Sequence, residues 1–232
     1  MLIAHRPTAL AYRCVAVVLI ALGIARVTGV VAGDPSGIPL LYYTTQSNIL
    51  CLAWMIVQAV RTGADLRSSG VRGWSSASPR AGGAVMMAIT VTMLIYLVIL
   101  LPQSFAQPGA YEAFTLTDNL VHIVTPLLVI VDWLAFAPKG RFRWVDPLLW
   151  TLIPYAYLTF AFPYGAAGGD FGGGRTYPYP FMNVAALGIG GVVAWIAGLT
   201  IALVGVGFVY LALDRMMGRV SRKRVAAADL PA

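Results

Sequence analysis

The amino-acid sequence predicts an all-α fold: a polytopic membrane protein forming a single bundle of six transmembrane helices, with both termini in the cytoplasm. Three observations carry that reading. The 232 residues are 59% hydrophobic and 11% charged, whereas a soluble domain carries about a quarter charged residues. Six apolar runs are long enough to cross a hydrocarbon core about 30 Å thick. Basic residues alternate between rich and poor connections, as expected when cytoplasmic loops concentrate Lys and Arg. The net charge of +7 is therefore an orientation signal and not a nucleic-acid surface. No stretch between the runs is long enough to bury a soluble core of its own.

The first run, residues 9–31, is expected to travel outward. It contains Arg26, and Val30–Val31–Ala32 before Gly33 imitates a signal-peptide cleavage site. Removing the run would break the charge alternation, so it reads as a retained span. The second run, 40–60, returns to a connection bearing Arg61, Arg67, Arg72 and Arg80. The third, 83–101, leads to a connection at 102–116 with no Lys or Arg. The fourth, 117–137, precedes Lys139, Arg141 and Arg143. The fifth, 145–162, precedes a segment rich in Gly, Tyr and Pro with Arg175 alone. The sixth, 184–213, ends in a tail with Arg215, Arg219, Arg222, Lys223 and Arg224. Its Gly190, Ala194 and Gly198 suit close helix packing. No repeat of the inverted-transporter kind is visible. Arginine greatly outnumbers lysine, as in GC-rich bacterial genomes, which points to the inner (plasma) membrane of a bacterium.

Other features read as structural. Cys14 and Cys51 have no metal-ligand spacing and are expected to pack. Gly168–Gly174 lacks a phosphate-loop lysine and is expected to be a flexible loop. Tyr155, Tyr157, Tyr164, Tyr177 and Tyr179 suit an outer aromatic belt. Asp132 is expected to anchor the inner interface or to pair with a loop arginine. No metal or other cofactor is implied, and the oligomeric state is not encoded legibly.

The chemistry-bearing residues gather at one depth. Of two histidines, His122 is the one placed within a span, where an ionisable side chain faces a cavity or a polar partner. From topology, Arg26, Thr44 and His122 lie roughly 6–8 Å below the outer hydrocarbon edge at about 1.5 Å per residue. Thr44, Ser47, Asn48 and Cys51 fall at i, i+3, i+4 and i+7, one stripe expected to face the bundle interior. Asp118 and Asn119 precede His122 by four and three residues, so either side chain could orient the imidazole. A threonine hydroxyl needs a base, and the base an orienter. Thr44, His122 and Asp118 or Asn119 supply those types. Ser47 and Asn48 are candidate oxyanion donors. Arg26 is a candidate for a substrate carboxylate, or else pairs with Asp118 or reaches the outer interface.

At these residues the sequence resembles the six-span membrane family that includes the androgen-induced protein and the androgen-dependent regulator of tissue factor pathway inhibitor, in its bacterial branch. The similarity rests on Tyr42–Asn48, on Asn119–Pro126 with the run to Asp132–Trp133, on Pro154–Tyr157 and on Tyr177–Asn183. The resemblance implies an intramembrane threonine hydrolase acting on fatty acid esters of hydroxy fatty acids, with Thr44 as nucleophile and His122 as base. The animal members are more apolar after the threonine, whereas here Thr45–Gln46–Ser47–Asn48 follows. Thr45 and Ser47 therefore stand as alternative nucleophiles. The expected function is hydrolysis of a lipid ester taken from within the membrane. The alternatives are a non-catalytic lipid or small-molecule carrier using the same polar pocket, and a structural role in which the polar residues join helices.

Overall fold

A computed structural model of the chain describes residues 3–106 and 113–228, all helical or irregular, with no strand among them. Helix α1 is Arg6–Val27 and α2 is Tyr43–Ser69. Helix α3 is Pro79–Leu100 and α4 is Leu116–Phe136. Two shorter helices, α5 (Asp146–Trp150) and α6 (Leu152–Ala166), precede the long α7, Val184–Ala228. Helices α1, α2, α3, α4 and the Val184–Val220 part of α7 are long and apolar enough to cross a membrane, the signature of an integral membrane protein.

The fifth predicted span differs. Residues 145–162 are divided at Thr151 into α5 and α6. Pro154 explains the break: it has no N–H to return to the carbonyl of Trp150, four residues back. The other boundaries shift by local chemistry. Helix α1 starts three residues early because the His5 side chain caps it by accepting from Thr8 N–H. Helix α2 starts late, after a short 3₁₀ turn at Ile38–Leu41. It runs on to Ser69, so Arg61 and Arg67 are helical and not in a connection. Part of the lysine-free connection, 107–112, lies outside the described residues.

The core lies between α2, α3, α4 and the α5–α6 pair. Cys51, Met55, Met86, Met87 and Ile89 share one buried cluster with Trp133, Phe142 and Trp150. Cys14, by contrast, is exposed and does not pack. Helix α1 lies along α2 and is locked there by a buried charge. Arg13 is 0% exposed. Its Nε donates to Asp132 at 2.7 Å, and its Nη1 donates to the carbonyl of Ser75 and to Thr62. Asp132 is thus paired, but with an arginine inside the first helix and not with one from a loop. Both ions are buried, and both find charged or hydrogen-bonding partners, the condition under which buried charge is tolerated.

Helices α3 and α4 each contain one π-turn, at Tyr96–Leu100 and at Leu120–Val124. Each ends immediately before a residue preceding proline: Leu101 before Pro102, and Thr125 before Pro126. The Leu101 N–H reaches the Tyr96 carbonyl, and the Thr125 N–H reaches the Leu120 carbonyl, five residues back in both cases. A proline ring crowds the carbonyl four residues before it, and widening the preceding turn relieves the clash. Such turns occur often at functional sites. Gly23 of α1 sits against the second one. A Cβ there would lie 3.2 Å from Leu120 Cβ, so glycine permits the close approach of α1.

Candidate functional site

The second π-turn carries His122, and the first opens with Tyr96. The two rings stack, with centroids 4.4 Å apart and planes 11° from parallel. The Thr44 hydroxyl, in the first turn of α2, lies 3.4 Å from His122 Nε2. On the other side of the ring, Nδ1 lies 2.8 Å from Asp118 Oδ1 and 3.2 Å from the Asp118 carbonyl. Both neighbours of Nδ1 are acceptors, so that nitrogen carries the proton. In the neutral form of the ring, Nε2 then points its lone pair toward Thr44, the tautomer a base requires.

Asp118 is held from several directions. Its Oδ2 accepts from the Tyr96 hydroxyl at 2.5 Å and from the Phe114 N–H at 3.1 Å. Phe114 adopts φ 62°, a left-handed conformation that is strained for a bulky residue. Thr115 caps the helix start by accepting from the Asp118 N–H.

Of the three hydroxyls considered as nucleophiles, the structure brings Thr44 to the histidine. Thr45 is 1% exposed and Ser47 is 2% exposed. The Ser47 hydroxyl lies 3.0 Å from the Thr44 carbonyl and 2.8 Å from the Thr92 hydroxyl. Asn48 Nδ2 donates to the Thr44 carbonyl at 2.7 Å and to the Val121 carbonyl at 3.0 Å. Both side chains expected to serve an oxyanion are therefore engaged with backbone. Asn119 does not orient the imidazole; its amide donates to the Phe114 carbonyl at 3.0 Å. Arg26 does not pair with Asp118. Its Nε donates to Thr117, the preceding residue, at 3.0 Å.

Two participants escaped sequence reasoning. Tyr96 lies inside an apolar run, where a phenol needs a hydrogen-bond partner; that need was its signal. Tyr179 was read with the aromatic belt, yet it and Tyr157 are 6% exposed. The Tyr179 oxygen accepts from the Thr44 N–H at 3.3 Å. Burial pushes its pKa up to about 12, so the phenol is protonated at neutral pH.

The loop that carries Tyr179 packs at the start of α2 through Phe171. Phe171 is 0% exposed. Its N–H donates to the Arg175 carbonyl, and its carbonyl accepts from the Tyr42 hydroxyl at 2.7 Å. Beyond Tyr43 and Tyr179 runs an apolar cleft between α3, α6 and α7, lined by Val91, Leu158, Phe181 and Leu203 among others.

The fold and site together define an all-helical protein among its described residues, with membrane-length apolar helices and a Thr–His–Asp chain joining two of them, α2 and α4. No family profile, no curated protein and no solved structure matches the sequence.

Proposed function

We propose that the protein is an intramembrane lipid ester hydrolase with Thr44 as nucleophile and His122 as general base. The observation that carries this reading is the continuous chain Thr44–His122–Asp118, with the imidazole in the tautomer that accepts from Thr44. The same pair is implied by the resemblance to the androgen-induced protein family. In this reading Thr44 Oγ1 forms a bond to the ester carbonyl carbon as its proton passes to His122 Nε2. The carbonyl π electrons move to oxygen. Collapse breaks the bond to the leaving alkoxide, which takes the proton from Nε2. Water, activated by the same imidazole, then releases the acid from acyl-threonine. The 3.4 Å separation is expected to shorten in the substrate complex, as catalytic hydrogen bonds do.

Six spans with both termini in the cytoplasm are part of this proposal, with the α5–α6 pair as the fifth crossing. The site then lies near the outer surface of a bacterial inner membrane. The ester enters from within the membrane. Arg26, whose Nε donates to Thr117, is the group that would meet a free carboxylate such as that of a fatty acid ester of a hydroxy fatty acid.

The test is release of free acid from a palmitate ester of hydroxystearate by the purified protein. Wild type is expected to turn over, and Thr44→Ala and His122→Ala to lose turnover. Equal hydrolysis by all three would refute the assignment. The carrier reading draws on the apolar cleft, which can seat a hydrocarbon chain without chemistry. Reversible lipid binding, with no fluorophosphonate labelling dependent on Thr44, would favour it.

A further inference from the structure

The reaction just described needs a donor for the negative charge that develops on the carbonyl oxygen, and the two side chains that sequence spacing nominates, Ser47 and Asn48, are turned to backbone carbonyls. A different group stands beside Thr44. Helix α2 starts with no side-chain cap from its own N-cap residue, Tyr42. The first N–H groups of a helix lack intrahelical partners. Tyr179, arriving from a loop 135 residues away, places its oxygen against them.

The direction of each proton then follows. The Thr44 N–H is a donor, so it uses a lone pair of the phenol and leaves the phenol's own proton for an acceptor. That N–H belongs to the residue whose hydroxyl faces His122, so the phenol stands beside the nucleophile. As Oγ1 gives its proton to His122 and bonds to the carbonyl carbon, it becomes an ether-like oxygen, and the negative charge develops on the carbonyl oxygen. The carbonyl oxygen, attached to that same carbon, becomes the acceptor within the phenol's reach.

The ring is also fixed before substrate arrives. It stacks on Phe181 with centroids 5.5 Å apart and meets Tyr42 and Tyr157 edge to face at 5.9 and 6.4 Å. A donor fixed in advance stabilises developing charge without reorganising.

We propose that Tyr179 is a catalytic residue of this site, whose hydroxyl donates the hydrogen bond that stabilises the oxyanion formed on attack by Thr44. The proposal rests on the hydrolase reading, and no proton is transferred from Tyr179 in the step.

The test compares Tyr179→Phe with wild type and Thr44→Ala on the palmitate ester of hydroxystearate. A fall in kcat of about 100-fold, the usual effect of losing one oxyanion donor, with KM within about twofold and an unchanged melting temperature, supports the role. A kcat within about threefold of wild type overturns it, and turnover that still requires Thr44 leaves the hydrolase reading standing. Should Y179F fold poorly, fluorinated tyrosines at position 179 keep the ring and hydroxyl while making the donor more acidic. A kcat that tracks donor acidity supports the role, and a flat response reduces Tyr179 to a helix cap. No turnover by folded wild-type protein overturns both proposals together.

Discussion

Asn48 reaches from α2 to α4 to donate its side-chain amide to the carbonyl of Val121, 3.0 Å away. That carbonyl is the one Pro126 leaves unpaired. In a turn with five-residue spacing, the N–H of residue 126 would meet the carbonyl of residue 121, and proline has no N–H. The asparagine thus completes the helix that carries His122.

This pairing has a measurable signature. Asn48→Ala should destabilise the protein by about 1–3 kcal/mol, the usual cost of stranding a buried polar group. Pro126→Ala restores an N–H for Val121. The double variant should therefore lose less than the sum of the single losses, read by thermal unfolding in detergent. Additivity within about 0.5 kcal/mol would sink this account.

Asp118 fixes which nitrogen of His122 carries the proton. In Asp118→Asn the carboxamide can present N–H to Nδ1, which moves the imidazole proton to Nε2 and removes the base. On the proposed chemistry, kcat should fall by about 10²–10⁴-fold, by analogy with tautomer loss in Ser–His–Asp enzymes. A variant that folds normally and retains turnover would show that Asp118 does not orient the base.

The buried Arg13–Asp132 pair makes a separate prediction. Asp132→Asn leaves the Arg13 charge buried without its counter-ion and should cost about 3–5 kcal/mol of stability. Arg13→Met combined with Asp132→Leu removes both ions and should recover most of that loss. A double variant as unstable as Asp132→Asn would indicate that the other partners of Arg13, Thr62 and Ser75, carry the stability instead.

The parts of the molecule legible in the sequence are those set by runs of one residue type. Long apolar stretches locate the five membrane-length helices, because a hydrophobic span declares itself by length alone. The stripe Thr44–Ser47–Asn48–Cys51 is legible from helical period, and its last three members are buried. What depends on a single atom is harder to read. Pro154 divides residues 145–162 by withholding one hydrogen, and composition does not register it. The partner of Asp132 lies 119 positions away, where no spacing argument reaches. Asn48 and Ser47 look like free donors until the carbonyls they satisfy are placed. Tyr179 could not be assigned to Thr44 without the path of its loop, which is decided by the burial of Phe171.

A π-turn accommodates one residue more than the α-turn it replaces. The turn at Leu120–Val124 is in effect a single-residue insertion within a membrane helix, and the imidazole is carried on it. Residues before the turn, Asp118 among them, would keep their present faces in a straight helix only if one residue were deleted. Shortening that turn would leave a bundle of almost the same outline with its histidine out of phase. In any alignment to a chain whose fourth helix is regular, the place to expect a gap is beside His122.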